Sequence, residues 1–328
     1  MTILATALLI VVVAAVFLLT NSPKDYPNGT AGAPVVISVV SGETGSHIAA
    51  NCQSKGVILK ASTMINLLIH NTSGIGISPG LHRIDTHIPS ELAISELLDR
   101  KRLVDTVEVL PGSTLSDVLG KLRALESIDQ NSSIAGVVPA ISNPMNSLEG
   151  ELAPLQYSFQ SGTTLAAALS QMANAFRSEI APLHLSNGFG KYTAYQVLTI
   201  ASLIQIEADP SDYQKAAAVI YNRLKLGMPL QLNSTVQYAI SKRGQINLST
   251  ADTKVKSPYN TYLNLGLPPT PISNPSNAAI TAADNPATGN WIYFITVKPH
   301  DTRFTNSYAT FQGWVALYNQ NVKLGLFK

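Results

Sequence analysis

A chain of 328 residues with an apolar fraction of 45% can bury a sizeable core and build two domains, which excludes a disordered tail. A formal net charge of +2, with only 13% charged residues, builds no basic field, so no nucleic acid partner is expected. The single cysteine, Cys52, rules out an intramolecular disulfide, and six scattered histidines show no metal-ligand spacing, so no metal site is expected.

Residues 1–20 contain an uncharged run, Thr2 to Thr20 (TILATALLIVVVAAVFLLT), long enough to cross a bilayer as one helix. It predicts a single-pass anchor. A cleaved leader fits less well, because the apolar run is long, no basic segment precedes it and no A-x-A site follows. Lys24 is the only basic residue nearby, so charge alone does not orient the span. Residues 21–34 (NSPKDYPNGTAGAP) have the composition of a linker.

Residues 35–105 open with a β run and a Gly turn. An amphipathic helix with Ile48, Ala49 and Cys52 at helical spacing follows, stopping at Gly56, and ASTMINLLIHN reads as a second helix. This β-α-α-β unit suits a binding module. GIGISPGLHRI then reads as turn and strand, PSELAISELLDR as helix, and DTVEVLPGSTLSDVLGKLRAL as strand, turn and helix capped by Ser113 or Thr114. Residues 106–328 form the larger region. From Leu148 it is more helical, through TTLAAALSQMANAFRSEI and LTIASLIQIEADP. Beyond Gly227 it becomes loop-rich, with SPYNTYLNLGLPPTPISNPSN as an expected functional surface. The fold class is α+β: an N-terminal transmembrane helix, a small β-α-α-β subdomain and a larger mixed domain with a helical core.

One acid interrupts the most apolar helix. Taking Ala194 to Ala208 as one helix, a step of about 100° per residue places Glu207 beside Leu203 and Ile200 on apolar ground. Desolvation there would raise its pKa, as a general acid requires. Asp209 and Pro210 close the helix, leaving Glu207 near an end that can face a cleft. The competing reading is a solvated or salt-bridged glutamate, with Arg223 on the next helix (Asp212 to Gly227) as its partner. Asn222 and Arg223 are then either polar supports of a site or ordinary surface residues.

The segments ASLIQIEA, AAVIYNRLKLGMPLQLNSTVQYA, SPYNTYLNLGLPPTPISNPSNAAITAADNP and WIYFITVKPHDTRFTNSYATF resemble, in order, successive motifs of the endolytic murein transglycosylase, or YceG-like, family. SLEGELAPLQYSF resembles the motif that precedes them, so the likeness covers about Leu148 to Phe311; Val35 to Asn71 resembles that family's LysM-like subdomain. The resemblance implies an enzyme of the cell membrane with its catalytic domain on the extracytoplasmic side, working beside peptidoglycan synthases. It would cleave the β-1,4 bond from N-acetylmuramic acid to N-acetylglucosamine in nascent glycan strands, leaving 1,6-anhydro ends, with no cofactor. Glu207 matches the catalytic glutamate. Gln205 stands where the family carries a first acid, and Asn233 where it carries aspartate.

The resemblance places Gln231, Asn233, Ser234, Thr235, Tyr259, Asn260, Thr261 and Tyr262 along a sugar-binding cleft, with Glu149 as a supporting carboxylate and Gln205, Asn222 and Arg223 in support. Among these, Asn260 reads as functional, while Pro268 and Pro269 read as a rigid wall. His300 is a further polar candidate. The alternatives are a hydrolytic muramidase, with Glu149 or Asp209 activating water, and a non-catalytic glycan-binding or synthase-scaffolding protein.

Overall fold

The structure, a computed structural model, describes residues 25–40, 42–70, 76–183, 185–242 and 248–327. The expected anchor over residues 1–20 lies outside the described residues; among those described, no helix is long and apolar enough to cross a membrane. The chain divides into two compact units. One comprises the residues up to Thr106 together with Tyr157–Gly162, the other Val107–Gln156 with Thr163–Lys328. Two short strands, β4 (Thr106–Glu108) and β6 (Gln156–Ser158), lie where the chain passes from one unit to the other.

In the first unit, β1 (Pro34–Val39) runs antiparallel to β2 (Gly80–Asp85), with Pro34 opposite Asp85 and Val39 opposite Gly80. The strand β3 (Leu103–Val104) adds to the other edge of β2. Between β1 and β2 come α1 (Gly45–Ser54) and α2 (Ala61–His70), in the expected β-α-α-β order, and α3 (Ser90–Leu98) follows. Thr44 starts α1 by accepting the His47 N–H, and the helix buries Ile48, Ala49 and Cys52. These pack with Ile37, Met64, Ile84, Ile94 and Leu97 into one core. Burial pushes the Cys52 thiol up to about 12, so it packs as a small apolar residue.

The second unit is built around α6 (Ala194–Glu207), in which Tyr195 and every residue from Val197 to Ile204 are buried. A helix apolar on all sides has no solvent face to spend, so it lies in the core. Before it come α4 (Leu115–Leu122), capped reciprocally by Thr114 and Asp117, the parallel pair β5 (Ile128–Asp129) and β7 (Thr163–Thr164), and α5 (Leu165–Ile180). The start of α6 is fixed by a capping box: Gln196 N–H donates to Thr193 Oγ1 at 3.3 Å and Thr193 N–H to Gln196 Oε1 at 2.9 Å.

After α6, α7 (Tyr213–Leu226) and α9 (Asn277–Asp284) pack on it through Ala216, Ala217, Ala279 and Ala283, whose small side chains permit close approach. Burying Leu198, Ile200, Leu203 and Ile204 contributes roughly 1.5–3 kcal/mol each, and Leu203→Ala would cost about 2–5 kcal/mol through the cavity it opens. Gly227 ends α7 at φ 66°, the left-handed conformation that a side chain disfavours. Gly150 likewise has φ 84°, and a Cβ there would sit 2.6 Å from the Pro271 ring.

The region beyond Gly227 is more ordered than its composition suggests. It holds α8 (Asn233–Ala239), the antiparallel hairpin of β8 (Tyr293–Lys298) and β9 (Asp301–Thr305), and the long α10 (Tyr308–Lys323). Thr235, on α8, is wholly buried, and Ser307 starts α10 by accepting the Thr310 N–H. The Pro- and Asn-rich segment 255–276 stays irregular, and the side-chain amides of buried Asn260 and exposed Asn264 hold its backbone in place of a ladder.

Candidate active site

Glu207 is the last residue of α6, and Ala208 leaves the helix in an extended conformation. The buried helix therefore delivers a carboxyl to its own end, where a cleft of about 580 Å³ opens. Glu207 Oε1 accepts the Ser234 N–H from the first turn of α8 at 3.1 Å. Burial pushes the Glu207 pKa above the usual carboxylate range, and the contacts with Ser234 only partly oppose it. The residue keeps partial exposure, so its carboxyl is desolvated yet reachable.

Gln231, Asn233, Tyr262 and Arg223 line the cleft with Glu207. The Tyr262 hydroxyl donates to Asn233 Oδ1 at 2.6 Å, so the asparagine serves as an acceptor where an aspartate would bring charge. Burial, and then the nearby Glu207 carboxyl, raise the Tyr262 pKa, which keeps the phenol protonated and donating. Arg223 does not pair with Glu207. Its Nε donates to the Ile292 carbonyl at 2.6 Å and its Nη1 to the carbonyls of Leu230 and Pro229 at 2.6 and 3.3 Å, while the guanidinium lies 5.4 Å from the Tyr293 ring centre. Those backbone acceptors take the arginine that the competing reading gave to Glu207.

Several expected cleft residues point inward instead. Asn260 is wholly buried: its Nδ2 donates to the carbonyls of Thr253 and Val255 at 3.0 and 2.8 Å, and its Oδ1 accepts the Tyr262 N–H at 3.0 Å. A buried amide so occupied holds a loop together and has little left for a sugar. Thr235 and Thr261 bond to each other through their hydroxyls at 2.9 Å, and Thr261 Oγ1 accepts the Leu232 N–H. The Tyr259 hydroxyl bonds Thr270, and its ring packs on Tyr238 with centroids 4.9 Å apart. Ser234 presents its N–H to Glu207 but is 5% exposed.

The expected supports lie further back. Glu149, 5% exposed, accepts the Leu115 N–H at 2.9 Å and the Tyr238 hydroxyl at 3.0 Å, and does not line the cleft. Gln205 accepts the Ser276 N–H at 2.9 Å, bracing the start of α9 on the side of α6 away from the cleft lining. Asn222 donates to the carbonyls of Gly289 and Trp291, fixing the approach to β8. His300 is exposed and pairs with Asp209 at 3.0 Å. Pro268 and Pro269 wall a separate pocket with Tyr192 and Leu224. Among the described residues, no group of three or more His, Cys, Asp or Glu side chains comes together as a metal site.

The opposite wall of the cleft is aromatic and comes from β8 and α10: Tyr293, Tyr308, Phe311 and Tyr318, with Gln312 and Asn319 beside them. Tyr293 stacks on Phe311 with centroids 5.1 Å apart, and Tyr308 stays 60% exposed. Motif reasoning missed this wall. The spacing 308, 311, 315, 318 is nonetheless one face of a helix, a signal present in SYATFQGWVALYN.

A crystal structure of a YceG-like protein from Listeria monocytogenes has the same fold, with a TM-score of 0.55 at 24% identity, over 85% of this chain and 98% of that one. The endolytic murein transglycosylase of Streptococcus pneumoniae serotype 2 (strain D39) is 39% identical over 154 residues, 45% of this chain and 28% of that protein. The endolytic murein transglycosylase of Bacillus subtilis (strain 168) is 35% identical over 167 residues, 50% of this chain and 46% of that protein. The match thus spans less than half the length of these curated relatives. The sequence model of the YceG-like family matches residues 37–316, most of the chain, and the protein therefore belongs to the YceG-like family.

Proposed function

We propose that this protein is an endolytic peptidoglycan lytic transglycosylase that cleaves the β-1,4 bond from N-acetylmuramic acid to N-acetylglucosamine within nascent glycan strands. One observation carries the reading: among the described residues lining the cleft, Glu207 is the lone carboxylate. A hydrolytic glycosidase needs a second acid to activate water or attack the sugar. The two acids named for that role are engaged elsewhere, Glu149 with Leu115 and Tyr238, and Asp209 with His300.

A transglycosylase needs only one. Glu207, desolvated and protonated, gives its proton to the leaving glycosidic oxygen. The C6 hydroxyl of the muramic acid attacks its own anomeric carbon, and the Glu207 carboxylate accepts that hydroxyl's proton, which restores the acid and leaves a 1,6-anhydro end. Because the nucleophile is already part of the substrate, the step gains the advantage of an intramolecular reaction. The aromatic wall of Tyr293, Tyr308 and Phe311 offers flat apolar faces to sugar rings, while Gln231, Asn233 and Tyr262 offer polar groups.

In the same proposal the apolar run from Thr2 to Thr20 anchors the protein in the cell membrane, its catalytic domain stands on the extracytoplasmic side, and it works beside the synthases that make its substrate. The first unit, whose groove of about 540 Å³ is lined by Val39, Ile48, Leu68 and Ile77, acts as a LysM-like module. The test is cleavage of uncrosslinked glycan strands by wild type and Glu207→Gln. The variant should retain binding and lose turnover by about 10²–10⁴-fold, the contribution of a general acid, and equal turnover would refute the assignment.

A further inference from the structure

Two neighbouring hydroxyls in α8 have different fates. That of Thr235 is spent on structure, donating to the Leu232 carbonyl at 2.7 Å and bonding the Thr261 hydroxyl at 2.9 Å. That of Ser234 is equally enclosed but makes no hydrogen bond of acceptable geometry. A buried hydroxyl without a partner has lost water and gained nothing in return, so its retention calls for an explanation. It lies beside the Glu207 carboxyl, whose Oε1 already accepts the Ser234 N–H, and its proximity opposes the effect of burial on that carboxyl.

The reading of Glu207 as general acid makes it alternate between carboxylic acid and carboxylate. The Ser234 N–H can only donate, which suits an oxygen that bears no proton. A hydroxyl both donates and accepts, and reverses its role by rotating about one bond. We propose that Ser234 is a positioning residue for Glu207, its hydroxyl accepting from the carboxylic acid and turning to donate to the carboxylate, so that the side chain keeps one position through both proton transfers. No proton leaves Ser234 in this cycle. The Glu207 proton passes to the leaving oxygen, and the proton that returns comes from the muramic acid C6 hydroxyl. The inference rests on Glu207 being the general acid.

Removing the hydroxyl costs both forms a hydrogen bond, but the charge-assisted bond to the carboxylate is the stronger of the two, so the Glu207 pKa should rise further. Activity requires protonated Glu207 and falls as pH rises through that pKa, so the basic limb of the pH–rate profile should move to higher pH. The other charged or titratable side chains on this cleft are Arg223 from α7, Tyr262 from the 257–264 loop, Tyr293 from β8, and Tyr308 and Tyr318 from α10. Burial raises the pKa of Tyr262 and of Tyr318, taking both further from the carboxyl range, and the Arg223 guanidinium remains a cation.

The experiment compares wild type, Ser234→Ala and Ser234→Thr as full chains. One readout is the turnover of uncrosslinked strands against pH. The other is the titration midpoint of the Glu207 side-chain carboxyl, followed by NMR with ¹³C-labelled glutamate and assigned by its loss in Glu207→Gln. In Ser234→Ala we expect kcat to fall about 10-fold with KM nearly unchanged, and both the basic limb and the midpoint to rise by roughly 0.5–1 pH unit, as expected for one lost hydrogen bond. Ser234→Thr, which keeps a hydroxyl, should restore both.

An unchanged midpoint in a folded Ser234→Ala protein would overturn the proposal. So would a fall in kcat with the basic limb unmoved, which marks a structural role only. Full turnover in Glu207→Gln would instead sink the general-acid reading, a failure distinguishable because the NMR midpoint still reports whether Ser234 touches the carboxyl.

Discussion

Glu151 offers the sharpest test of the electrostatics in the second unit. It is wholly buried, its Oε2 accepts the Ile141 N–H at 2.9 Å and its Oε1 accepts Asn143 Nδ2 at 3.1 Å. Burial outweighs these contacts and the nearby Arg177, and raises the carboxyl from an ordinary 4.5 to about 7. Below about pH 4.5 the folded and unfolded chains both hold the proton, and the group's full contribution to stability is present. As pH rises towards 7 the unfolded chain ionises first, and stability is lost at about 1.4 kcal/mol per pH unit, about 3 kcal/mol in all. Above 7 both states are ionised and the loss levels off. Glu151→Gln cannot titrate, so it should lack this slope, although losing one acceptor lowers its stability by a constant amount. Urea unfolding of wild type and variant from pH 4.5 to 8.5 measures the difference. If that difference does not change with pH, Glu151 has an ordinary pKa and the account of its burial is wrong.

Further predictions concern the site. Asn260→Ala leaves the Thr253 and Val255 carbonyls and the Tyr262 N–H without their partner and should cost about 2–4 kcal/mol in thermal or urea unfolding; wild-type stability with impaired glycan binding would return Asn260 to the substrate. Tyr308→Ala, made together with Glu207→Gln so that strands survive, should weaken glycan binding about 3–10-fold in calorimetry, whereas unchanged affinity would remove α10 from the binding surface. Gln205→Glu keeps an acceptor for the Ser276 N–H at the start of α9, where negative charge is favoured, so cleavage should stay within about twofold of wild type. A large gain in rate would show that the family's first acid takes part in the chemistry.

The position of Glu207 was legible in the sequence because its cue was local, one acid at the end of a helix apolar on all sides and closed by Asp-Pro, whereas its catalytic role was implied by the family resemblance alone. Periodicity, caps and a C-terminal glycine likewise located α1, α2, α5, α6 and α7, since each signal lies within a few residues of what it governs. The roles of Asn260, Thr235 and Thr261 were not legible. A polar side chain in a motif looks the same whether it faces substrate or its own loop, and only burial and partners separate the two. Arg223 shows the same limit. Its place on the helix after Glu207 made it the expected partner in the competing reading, but the carbonyls that claim it come from Pro229, Leu230 and Ile292, the last of them 69 residues away. The aromatic wall was half legible, as its stripe was visible in α10 while its place across the cleft depended on the hairpin that precedes it.

The central claim is that one carboxyl acts with the substrate's own hydroxyl as nucleophile. Mass spectrometry of the products from uncrosslinked glycan strands, wild type beside Glu207→Gln, tests it most directly. The account predicts internal fragments ending in 1,6-anhydromuramic acid, made by the wild type and missing with the variant. Fragments with hydrated reducing ends would contradict it, because water would then be the nucleophile and a second acid would have to serve it.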